Sequence, residues 1–142
     1  MKRFAIILAA VALIACTIMQ PAAKAQKKGK SRPMTTSQLM AGLVKPQLVA
    51  LKEGLAKEEK TDDDWKAIGT AAALLNESGY LMLDDGRSPD KIWTDGSEIL
   101  KQAGADALKA VAAKDTEAGN KAVEGVLKSC KVCHTEHKYK KK

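Results

Sequence analysis

Two cysteines three residues apart, followed at once by a histidine, constrain this chain more than any other stretch: Cys130-Lys131-Val132-Cys133-His134. On a helix the two thiols fall on roughly one face, and the adjacent histidine can turn its ring beneath whatever the thiols hold. C-x-x-C-H is the signature of covalent c-type haem attachment, in which each cysteine forms a thioether to a haem vinyl group and His134 gives iron its proximal nitrogen. Two other chemistries use the same residue types. A thioredoxin-like pair is expected just after a strand, at a helix N-terminus that lowers the thiol pKa; here the pair ends a helical pattern with no strand before it. Zinc would take Cys130, Cys133, His134 and His137, but adjacent Cys133 and His134 fit a tetrahedral set poorly. Haem accounts for the whole motif, and the rest of the chain reads as its container.

The opposite end of the chain agrees with that chemistry. Residues 1–25 read as an export signal: Lys2 and Arg3, an apolar run from Phe4 to Met19 broken only by Cys16 and Thr17, and the small-x-small site Ala23-Lys24-Ala25. The run is short for a membrane span and lies close to a processing site, so no transmembrane helix is expected in the mature chain. Leu13-Ile14-Ala15-Cys16 also has the form of a lipoprotein box, so a lipid anchor at Cys16 competes with cleavage after Ala25. Both routes lead to the periplasm, where c-type haem is attached. Cys16 leaves with the signal or carries lipid, and no structural disulfide remains to be proposed.

Removing the signal leaves about 115 residues, enough for one core and too few for two. Aromatics are only 4% of the chain, so such a core needs another source of apolar volume, which a haem would supply. The formal charge of +7 falls to about +4 once Lys2, Arg3 and Lys24 are gone, and lysines are interleaved with acids along the helices. That balance argues against a nucleic-acid partner.

Residues 26–34 form a basic lead-in with little to bury, expected to be flexible, and residues 35–142 the folded domain. Its first helix should start at a cap among Thr35, Thr36 and Ser37 and run to about Lys60, with Leu39, Met40, Leu43, Val44, Leu48, Leu51 and Leu55 as its apolar stripe. Pro46 should kink or divide it. The second helix starts after Thr61, with three aspartates complementing its dipole, and buries Trp65, Ile68, Ala72, Leu75 and Gly79. Asp84-Asp85-Gly86-Arg87-Ser88-Pro89 reads as a solvated turn with nothing nearby to shift either carboxylate. A third helix from Pro89 or Asp90 carries Ile92, Trp93, Leu100, Ala103 and Ala107, with Gly96 and Gly104 as places of close helix approach or local irregularity. The fourth starts at Asp115 or Thr116 and ends in the haem motif. Four helices joined by short loops define an all-α fold, an up-down-up-down antiparallel four-helix bundle. In that topology the start of the first helix lies beside the end of the fourth, which brings Met34 and Met40 toward the haem.

With these residues in view, the chain resembles the cytochrome c prime superfamily over roughly residues 35–138, and especially its low-spin members, in which a methionine of the first helix ligates iron. The similarity is carried by the C-terminal C-x-x-C-H and by Gln38-Leu39-Met40. It implies Cys130 and Cys133 as attachment residues, His134 as proximal ligand and Met40 as the distal one. The basic residue that members place after the motif is matched by Lys138, whereas His137 stands where they carry an aromatic; Tyr139 comes two positions late. Dimerisation is common among such bundles, so a homodimer is one of two oligomeric states open to this chain.

Met and His ligation holds iron six-coordinate and favours the ferrous state relative to bis-histidine, as an electron carrier requires. No acid, base or nucleophile constellation points to an enzyme, and no distal histidine and arginine pair points to a peroxidase. The expected function is therefore single-electron transfer between exported redox partners; Lys131 and Lys138 suit an acidic partner or the haem propionates, and Lys140 to Lys142 read as a solvated tail. The alternative is a five-coordinate cytochrome that binds nitric oxide or carbon monoxide behind an apolar wall of Leu39 and Leu43. A third reading, a scaffold or metal module without haem, predicts a colourless protein.

Overall fold

A computed structural model describes residues 30–138. The expected signal segment, Cys16, Lys27, Lys28, Tyr139 and the terminal lysines lie outside the described residues. Four helices make up the fold, with no strand among the described residues. Helix α1 runs in three segments, Thr36–Leu39, a π-helical turn Met40–Val44, and Lys45–Ala56; α2 is Asp62–Leu83, α3 is Lys91–Ala113 and α4 is Thr116–His137.

Each helix begins where a side chain satisfies backbone donors that have no intrahelical partner. Thr35 and Gln38 form a reciprocal capping box on α1, and Thr61 and Asp64 form another on α2. Asp90 accepts from the Trp93 amide to start α3, and Asp115 accepts from the Ala118 amide to start α4.

At Pro46 α1 divides, as expected, into segments of different pitch: the π-helical turn closes at Val44 and an α-helical segment begins at Lys45. A proline ring crowds the carbonyl four residues back in a regular α-helix, and a widened turn just before it relieves that crowding. Here the Lys45 amide donates to the Met40 carbonyl, five residues back, and Pro46 sits in the first turn of the α-helical segment that follows. The wider turn also repairs the apolar stripe. Buried Leu39 and Val44 are five apart, a step that would leave them roughly 140° out of phase on an α-helix.

The main core joins Leu51 and Leu55 of α1, Ile68, Ala72 and Leu75 of α2, Leu100 and Ala107 of α3, and Val126 of α4. Alanine and glycine bring the backbones close together. A Cβ on Gly104 would fall 2.5 Å from the Asn76 amide nitrogen, while the Asn76 side chain donates to the Lys101 carbonyl at 2.7 Å. A second, smaller cluster of Leu39, Met82 and Trp93 closes one end of the molecule, with Met40, Leu43 and Leu81 packed against it. Both tryptophans are buried. No helix among the described residues is long and apolar enough to cross a membrane.

Candidate haem site

Cys130 and Cys133 occupy the last turns of α4 as free thiols, Cys130 half-buried and Cys133 only 6% exposed. Cys133 Sγ lies 4.0 Å from the Trp93 carbonyl and directly over Gly96, where any Cβ would collide with the sulfur. One turn earlier, Ser129 Oγ donates to the Gly96 carbonyl at 2.7 Å. The absence of a side chain at Gly96 is therefore what lets the cysteine-bearing face of α4 seat on α3.

Burial pushes the Cys130 thiol up, and burial, reinforced by Cys130 and Asp90, pushes Cys133 up to about 11. Thiols so raised are the opposite of the activated thiolate a disulfide oxidoreductase requires. His134 is half-buried, and burial together with neighbouring Lys138 lowers its pKa. Both influences favour the neutral imidazole, the form that binds a metal. No three His, Cys, Asp or Glu side chains converge on a metal-sized site among the described residues, so Cys130, Cys133, His134 and His137 do not assemble as a zinc set.

His137 ties the end of α4 to α3. Its Nε2 lies 3.3 Å from the Asp90 carboxylate, and its ring stands edge-on to Trp93 at 5.4 Å. Trp93 in turn donates its indole N–H to the Met82 carbonyl at 2.7 Å. The end of α4, the start of α3 and the end of α2 are thus tied at one place.

Met40 opens the π-helical turn and is half-buried, packing against both the main core and the Leu39, Met82 and Trp93 cluster. Cys130 packs against the same main core. Met34 by contrast is 40% exposed, and Met82 is buried within the small cluster. Two free thiols, an imidazole whose pKa is lowered and a thioether on an apolar face are the donor types that a covalently attached haem uses. A separate groove along α3 and α4, floored by Ala103, Ala110, Ala122 and Gly125, contains none of these residues.

The interactions of Asp85 and Arg87 have no signature in the sequence. Asp85 Oδ1 accepts from the Ser31 amide and hydroxyl, both at 2.8 Å, and Oδ2 accepts from the Arg32 amide at 2.9 Å. The Asp85 carbonyl accepts from the Lys30 amide at 2.9 Å. Arg87, 2% exposed, donates Nη1 to the Met34 carbonyl at 2.7 Å and Nη2 to that of Arg32 at 3.4 Å. Backbone hydrogen bonds from Arg32 and Ser31 hold the Asp85 carboxyl at about 2. The expectation of an unperturbed, solvated turn therefore fails at Asp85, because its partners lie 53 and 54 residues away in the chain. Asp-Gly does signal the turn itself, but nothing local identifies what docks on it.

No protein-family model, curated protein or solved structure matches this chain.

Proposed function

We propose that this protein is an exported monohaem c-type cytochrome that carries single electrons between periplasmic redox partners. The observation that carries the reading is the meeting of two sets of groups at one end of the helices. Cys133 of the motif seats on Gly96 and beside the Trp93 carbonyl, and Met40 packs on the cluster to which Trp93 belongs. Cys130 and Cys133 would hold the haem through thioether bonds, and His134 and Met40 would supply a nitrogen and a sulfur ligand to its iron. The haem supplies an iron that cycles between ferric and ferrous states and so carries one electron.

The chain's own residues perform the remaining tasks. Burial keeps the His134 lone pair available by disfavouring its protonation. Leu39, Met82 and Trp93 exclude water from the Met40 side of the cluster, which favours the less charged ferrous state. Lys131 and Lys138 are exposed near the motif, where positive charge steers an acidic partner.

The reading includes an antiparallel up-down-up-down order for the four helices. Contacts of Met82 with Trp93, Asn76 with Lys101 and Asp62 with Lys114 support it for α2 and α3, since one number rises as the other falls.

Absorption spectra of the haem-loaded protein in both oxidation states, with and without carbon monoxide, test the reading. Expected is a low-spin spectrum with a weak far-red sulfur band, unchanged by the gas. Met40→Ala should abolish the band and open the iron to carbon monoxide. A wild-type spectrum that is high-spin and shifts with the gas would replace the carrier by a gas-binding cytochrome, and a colourless product would exclude both.

A further inference from the structure

We propose that Asp85 and Arg87 are positioning residues that fix Met40, by strapping residues 30–34 onto the loop between α2 and α3 and so holding the start of α1. The consequence for iron rests on the reading of Met40 as its distal ligand. The mechanical part rests on the hydrogen bonds alone.

The opening of α1 has little to hold it in place. Its first α-helical segment has four residues, with Leu39 its one buried side chain, and it runs on without a break into the π-helical turn, so it lies at the end of a helix, where fraying begins. The Thr35 and Gln38 capping box is local, so it stabilises the turn without locating it relative to the other helices. The strap supplies that location. Arg87 holds the carbonyl of Met34, the residue immediately before the cap, and Met40 follows the cap by five residues. Lys30, Ser31 and Arg32 are held on the same loop by the carbonyl and both carboxylate oxygens of Asp85.

The loop is shaped for this purpose. Asp85 and Gly86 both lie in the left-handed region, at φ 60° and 71°, and a non-glycine residue there needs contacts that offset its strain. The strap provides them at Asp85. Arg87 is withdrawn from water, a placement tolerated only when its N–H groups find acceptors, and two are carbonyls of the strap. The strapped loop ends close to Asp90, which caps α3 and faces His137. The strap therefore grips the end of the molecule where the haem motif seats.

The test uses the full haem-loaded chain with Asp85→Gly, which keeps the left-handed backbone and removes both carboxylate oxygens, and Asp85→Asn, which keeps one acceptor. The Lys45 amide, donor to the Met40 carbonyl, is the reporter. Its hydrogen exchange should accelerate by about tenfold or more in Asp85→Gly and by less in Asp85→Asn, while core amides of α3 and α4 keep their rates. The far-red sulfur band should weaken in the same order, with a matching gain in carbon monoxide binding. An unchanged Lys45 exchange rate overturns the proposal. Faster exchange with an intact band, where Met40→Ala abolishes that band, also overturns it and leaves the ligand reading standing. If Met40→Ala leaves the spectrum unchanged, the ligand reading fails instead, and Lys45 exchange alone decides whether the strap holds α1.

Discussion

Gly96 and Cys133 occupy one another's space: the sulfur of α4 lies where a side chain on α3 would be. Gly96→Ala should therefore displace Cys133, destabilise the fold by about 1–3 kcal/mol as an overpacked contact does, and reduce covalent haem incorporation. Haem retained through denaturing electrophoresis, alongside a thermal melt, reads both effects. Gly42→Ala is the matched control, since a Cβ there meets nothing within 4 Å; it should be neutral or stabilise by about 0.5–1 kcal/mol.

The raised Cys133 thiol predicts an alkaline limit for the chain before haem attachment. Its folded pKa of about 11 stands above the ordinary 9.0. The stability it contributes is thus complete below pH 9 and lost as pH rises through 11. Urea unfolding of the haem-free chain across that window should show the decline, and Cys133→Ser should flatten it. At neutral pH an alkylating reagent should label half-buried Cys130 before Cys133.

Asp85 predicts the opposite limit. Its carboxyl is held at about 2 in the fold against an ordinary 3.8. A depressed carboxylate stabilises fully above its unfolded value, so the contribution is complete above about pH 4 and lost as pH falls through 2. Thermal melts over this range should show a slope in wild type that Asp85→Asn reduces. Equal slopes in the two proteins would mean that the carboxylate is no tighter in the fold than in the unfolded chain.

Lys114 ends α3 in the left-handed region at φ 51°. Lys114→Gly should relieve about 1 kcal/mol of backbone strain and raise the melting temperature by roughly 4 °C. The exposed ion pair it forfeits with Asp62 adds little in high dielectric. A lower melting temperature would show that the ion pair outweighs the strain.

Much of the helical framework was legible locally. Thr35, Thr61, Asp90 and Asp115 start the helices within the expected bounds because a cap acts over three residues, and aspartates in the first turn of α2 act through the dipole of that turn alone. Gly96 and Gly104 stood out as points of close approach or local irregularity, and the fold makes both of them close approaches. Pro46 marked where α1 divides, but a proline announces crowding and not its remedy; the π turn that relieves it depends on which side chains α1 must bury.

What the sequence determined by itself is whatever acts within a few turns: four amphipathic helices, their starts, and two thiols beside an imidazole at spacing suited to haem. What only the tertiary structure decided is which groups meet. The seat of Cys133 on Gly96, the contact of His137 with Asp90, the packing of Met40 on the Trp93 cluster and the strap held by Asp85 join residues of different helices and loops. Such pairings arise only when the helices bury their apolar faces together, because each residue's own neighbourhood leaves many partners sterically and electrostatically equivalent until packing selects one.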